Sequence, residues 1–242
     1  VAALLAARRP PDVLDDGLLA EVHALNATGI ELLVQSAAQA AAPAGQAGLA
    51  REPEFPLPPG PAAAAWAALD AAARRRVAAQ PFLLFSLGLE QGARWRALAD
   101  EVTAAHATRR IAESRPRTVS VVYARLLLQY AWHLARTAPL TAGLVAGMSP
   151  GAAAVMRDCR VEQLDPMAER AAAWLRPRWA NAPALWDDLL LAAHPDASGS
   201  LARTVALRAV QRAGAALGAR GPVEQVGDTR SRAGGDKIRP SL

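Results

Sequence analysis

Apolar residues recur at three- and four-residue steps over most of this chain, a spacing that predicts helices rather than strands. A first helix is expected after Asp15-Asp16, whose carboxylates suit a helix N-terminus, running through Leu18, Val22, Leu25, Ile30, Leu33 and Val34 to about Ala41. Residues 42–61 are punctuated by Pro43, Gly45, Gly48, Pro53, Pro56, Pro58, Pro59, Gly60 and Pro61 and read as an inserted loop. A second helix over Ala62 to Ala79 carries Trp66, Leu69 and Val77 and stops at Gln80-Pro81. Phe82 to Leu89 is a continuous apolar run, too short for its period to separate helix from strand, and is expected to be buried. The helix that follows, from Gln91 to about Ile111, turns Trp95 and Leu98 inward and Arg94, Arg96, Arg109 and Arg110 outward. Ser114-Arg115-Pro116-Arg117 breaks it and marks a domain boundary.

The second half repeats the same kind of pattern. A helix from Thr118 to Thr137 presents Val122, Leu126, Leu127, Tyr130 and Leu134 as a broad inward face. A turn at Pro139 leads to a short helix ending near Gly147. Ser149 then caps a new helix with Pro150 at its first position, the arrangement in which a serine oxygen takes an orphan N–H and proline needs no donor. Val161, Leu164 and Met167 mark the next helix, Trp174 to Trp179 a linker rich in arginine and tryptophan, and helices over Ala182 to Ala193 and Leu201 to Leu217 complete the pattern. The polar residues from Gly221 onward are expected to be disordered.

Composition agrees with an all-α protein, since alanine and leucine dominate while β-branched and aromatic residues are sparse. The formal charge of +5 is concentrated at one end: from Leu201 onward eight basic residues face Glu224, Asp228 and Asp236, and the rest of the chain is balanced. Such a basic end either touches nucleic acid or an acidic partner or is a solvated tail. A single cysteine, Cys159, allows no internal disulfide and suits a reducing compartment. Val1 to Ala7 is apolar, but Arg8-Arg9-Pro10-Pro11 follows at once, unlike a signal peptide, and the apolar stretch near the middle is interrupted by Arg125, His133 and Arg136. A cytoplasmic protein without membrane contact is therefore expected.

The two halves resemble each other. A shift of about ninety residues sets Val77 on Met167, Leu83-Leu84-Phe85 on Ala173-Trp174-Leu175 and Leu89 on Trp179, and one more residue of slip brings Trp95 to Trp186. Either a duplicated module or the shared alanine-rich composition produces this order. The duplicated reading gives residues 1–114 as one helical module with the insertion at 42–61, residues 115–220 as a second, and 221–242 as a tail. The two modules would be similar, orthogonal in packing and joined as a pseudo-dimer.

The segment His133 to Trp179 resembles the core of FlhD, a subunit of the bacterial flagellar master transcriptional regulator. Leu134, Gly147-Met148, Ala153, Val161, Leu164, Met167 and Arg178-Trp179 fall in matching order. In the first half Leu25-Asn26, Ala68-Leu69, Leu83-Leu84 and Leu87 to Leu89 are also similar, with Phe85 and Leu175 standing where the family linker carries a cysteine. The resemblance implies a helical module that dimerises and acts with a protein partner subunit on promoter DNA, here as a tandem fusion. An interaction accessory of secretion or motility machinery is the alternative.

Candidate chemistry is thin. Gly147-Met148-Ser149-Pro150-Gly151 matches the G-x-S-x-G nucleophile elbow, with Asp165 or Asp187 and then His194 in hydrolase order. An elbow needs a strand before the serine and an N–H after it, however, and Pro150 has none. His23, His106, His133 and His194 lack metal-pair spacing, and no cofactor fingerprint occurs. The expectation is a non-enzyme without metal or cofactor. For nucleic acid, the candidates are Arg74, Arg75 and Arg76, then Arg109, Arg110, Arg115 and Arg117, then Arg176 and Arg178, because arginine forks onto phosphate.

Overall fold

The computed structural model describes residues 16–42, 54–107, 118–197 and 199–218. These form an all-α fold with one two-residue strand pair: α1 (Asp16–Ala41), α2 (Ala63–Ala67), α3 (Ala71–Ala78), β1 (Phe85–Ser86), α4 (Gly92–Ala107), α5 (Val119–Thr137), α6 (Pro139–Ala146), α7 (Pro150–Asp158), α8 (Val161–Ala171), a single 3₁₀ turn (Ala172–Trp174), β2 (Arg176–Pro177), α9 (Pro183–Ala193) and α10 (Gly199–Gly218). The expected boundary at 114, Arg109, Arg110, Arg115, Arg117 and the tail from 221 lie outside the described residues.

Two sequence expectations need correction. The helix expected over 62–79 is two helices, because the Asp70 carboxylate accepts the Ala73 N–H at 2.6 Å and starts α3 afresh. The same bond holds the Asp70 carboxyl below its ordinary range. On α5 Leu127, Tyr130 and Leu134 face inward as expected, but two of the five expected positions do not. Val122 and Leu126 are 48% and 37% exposed, while Tyr123, Leu127, Leu128 and Ala131 are buried. The register follows from contact with α1: the Tyr123 hydroxyl donates to the Leu25 carbonyl at 3.2 Å, beside Gly29, where a Cβ would lie 2.8 Å from the Phe85 ring.

Three pairs of features are separated by one common spacing. The step from β1 to β2 (85 to 176), from the positive-φ residue after each strand (Gly88 to Trp179) and from Trp95 to Trp186 is the same, 91 residues. Trp95 Nε1 donates to the Gly88 carbonyl at 3.2 Å, and Trp186 Nε1 donates to the Arg178 carbonyl at 2.9 Å. α1 packs on α2 and α3, and α5 packs on α7 and α8. The helices after the two strands then pack across the molecule: α4 on α7 and α8, and α9 on α3 as well as on α10. Trp186 thus meets Trp66 edge-on at 5.8 Å between ring centres.

The crossing point is the strand pair, with Phe85 opposite Pro177 and Ser86 opposite Arg176 in antiparallel register. Residues 82–89 are buried throughout, as expected of the apolar run. Their backbone has few strand partners, so a side chain supplies them. Buried Asn26 Oδ1 accepts the Leu84 N–H at 2.9 Å, and its Nδ2 lies 2.8 Å from the Phe82 carbonyl and 3.2 Å from that of Ala78. One hydrophobic cluster runs through both halves. By length and composition alone α1 passes for a membrane span; here its inward face packs on α2, α3 and α5.

Candidate functional site

A cleft of about 430 Å³ opens where β2 and the turn after it meet Ser86, Glu90, the C-terminal end of α6 and Ala213 of α10. Its shape is set by Arg178. This buried side chain spans from β2 to α6, donating through Nη1 to the Val145 carbonyl and through Nη2 to that of Leu144 at 3.1 Å. The last carbonyls of a helix lack intrahelical donors and carry the negative end of its dipole, so a guanidinium is well matched to them. Gly147 closes α6 with φ 69°, and a Cβ there would lie 2.9 Å from Arg178 Nη2. The guanidinium also sits 4.6 Å from the centre of the Trp179 ring.

Arg176 stands at the cleft's rim, exposed, with its Nη2 paired to Glu90 across the strand pair. Trp179 forms one wall. It adopts φ 55°, a left-handed conformation that bulky residues rarely take, and its ring meets Phe82 edge-on at 4.9 Å.

The other candidate arginines are on α3. Arg74 pairs with Glu31 at 2.8 Å and donates to the Leu69 carbonyl at 3.0 Å. Arg76 Nε donates to the Ala193 carbonyl at the end of α9, at 2.7 Å. Arg75 is exposed. Arg74, Arg76, Arg176 and Arg178 are therefore each bonded to protein groups, two of them serving helix C-termini.

Ser149 caps α7: its Oγ accepts the Ala152 N–H at 3.2 Å and donates to the Leu89 carbonyl at 3.3 Å. The segment before it is α6, not a strand, and Asp165 pairs with Arg125 at 2.7 Å. His133 and His194 are exposed, and among the described residues no three metal-ligating side chains come together. Cys159 is buried, and burial with Asp158 beside it pushes its thiol above the ordinary value.

No family model, curated protein or solved structure matches this chain. What the site can do is read from its own geometry. Two features escaped the sequence. The structural use of Arg178 had no local signal, because its α6 partners lie more than thirty positions away. Asn26 did carry one: it is a polar residue at the inward spacing of Val22, Ile30 and Leu33.

Proposed function

We propose that this chain is a FlhD-like regulatory or adaptor subunit, a single-chain counterpart of a helical dimer that acts through a protein partner and reaches promoter DNA within that complex. The observation that carries the reading is the crossing of α4 and α9 at the β1–β2 pair, with equivalent positions 91 residues apart from 85 to 176 and from 95 to 186. A homodimer exchanging its last helices would have this connectivity, and a duplicated module joined by a linker would keep it.

Two further features favour a protein partner over direct DNA binding. Three of the candidate arginines, Arg74, Arg76 and Arg178, are engaged with backbone carbonyls of the fold. Val119, Val122 and Leu126 leave an exposed apolar stripe on α5 at 37%, 48% and 37%, of the kind that helical interfaces cover.

Mobility-shift titrations with promoter fragments, run with this chain alone and with the products of neighbouring genes, test the reading. A shift is expected only when a neighbouring product is present, and Val122→Glu is expected to abolish it. A salt-sensitive shift by the chain alone, or a complex indifferent to Val122→Glu, would overturn it. A partner that binds without any DNA shift would return the secretion or motility accessory.

A further inference from the structure

We propose that the cleft beside β2 binds a small organic anion, a carboxylate or phosphate carried on an apolar body. Its volume of about 430 Å³ lies in the range of small-ligand sites. Pro177, Ala146, Ala213 and Trp179 give it apolar surface, and Arg176 and Arg178 outnumber Glu90. The site therefore has an apolar lining that includes Trp179 and a net positive charge.

Comparison of the two linkers singles out Trp179. After β1 the chain makes its left-handed turn at Gly88 with φ 71°, where no side chain resists it; after β2 the corresponding residue is Trp179 with φ 55°. The turn itself does not call for an indole, as Gly88 shows, and a bulky residue is strained in this region. Trp179 lines the cleft, and the Arg178 guanidinium lies over its ring at 4.6 Å. Strain retained at a residue that walls a cavity is characteristic of ligand sites.

The anion is received by Arg176. Arg178 is committed to the α6 carbonyls and acts as a fixed positive charge, whereas Arg176 is exposed and held by a rim pair with Glu90. An exposed ion pair is weak enough to be exchanged, and a guanidinium grips a carboxylate or phosphate through two parallel N–H bonds. Ser86 adds a hydroxyl: its Oγ accepts the Gly88 N–H at 3.0 Å, so its own hydrogen can turn to the ligand.

Calorimetric titration of the whole chain at low salt with naphthoate, naphthyl phosphate and uncharged naphthol tests this. Saturable binding is expected from at least one anion and not from naphthol, and the preferred anion identifies the headgroup. Arg176→Ala is expected to weaken that binding about tenfold or more with Tm unchanged, and Glu90→Gln to tighten it by freeing Arg176. Absence of saturable heat with both anions, equal binding of naphthol, or unaltered affinity in Arg176→Ala would overturn the proposal. The adaptor reading would stand in each case, since it is judged on partner and DNA binding.

Discussion

The Arg178 guanidinium occupies the space that a side chain on Gly147 would need, with Nη2 placed 2.9 Å from where a Cβ would be. Two sequence stretches, Gly147-Met148-Ser149-Pro150 and Leu175 to Trp179, are thereby locked together: one ends a helix, and the other donates to its last carbonyls, that of Val145 also accepting the Leu83 N–H. Gly147→Ala would both strain a φ of 69° and displace the guanidinium. Destabilisation of about 1–2 kcal/mol is expected, read as a lowered Tm. Arg178→Lys should not restore the lock, because an ammonium cannot span two carbonyls as a planar fork does.

Asn26 should be among the least replaceable polar residues. Asn26→Leu would leave the Leu84 N–H and the Phe82 carbonyl without their side-chain partner in a buried linker. A loss of about 3 kcal/mol is expected from two unsatisfied buried groups. Hydrogen exchange at the Leu84 amide separates this from general destabilisation, since that proton should lose protection first.

Ser149 is expected to act as a cap and nothing more. Ser149→Ala should cost about 1 kcal/mol in Tm or denaturant melts, and Ser149→Asp should recover most of it because a carboxylate oxygen can take the Ala152 N–H. An esterase activity abolished by Ser149→Ala would overturn that assignment.

Alkaline pH should weaken the fold. Burial raises the Tyr123 hydroxyl above its ordinary value of 10.0, and burial with Asp158 raises the Cys159 thiol above 9.0. For a group whose folded value is raised, the contribution to stability is complete below the unfolded value and declines as pH rises past it. Tm should therefore fall as pH passes these two values, and Tyr123→Phe should flatten the upper part of that decline while forfeiting the bond to Leu25. An unchanged decline in Tyr123→Phe would remove Tyr123 as its source.

Helix periodicity made most elements legible. α1, α6, α7, α9 and α10 lie within a few residues of their expected bounds, because caps such as Ser149-Pro150 and breaks such as Gly147 act locally. The division of 62–79 at Asp70 was missed, since alanines on both sides gave no change of period, and a single carboxylate bond decided it. The inward face of α5 is legible at Leu127, Tyr130 and Leu134 but not at its edge, because Val122 and Leu126 are as apolar as Tyr123 and Leu128. Residue type alone marks the arginines as phosphate candidates, and side-chain geometry bonds four of them to the protein.

The sequence by itself determined that this chain is helical, where most helices begin and end, and that residues 82–89 are buried. Those properties depend on side-chain spacing and on hydrogen bonds between near neighbours. Only the tertiary structure decided that β1 pairs with β2, that α4 and α9 exchange sides, and that Trp179, Arg176 and Arg178 gather around one cleft. These are contacts between groups distant in the chain: β1 and β2 begin 91 positions apart, α3 and α9 lie more than a hundred apart, and Arg178 reaches α6 over 33 positions. Their selection depends on which apolar faces can be buried together, and no local pattern encodes that choice.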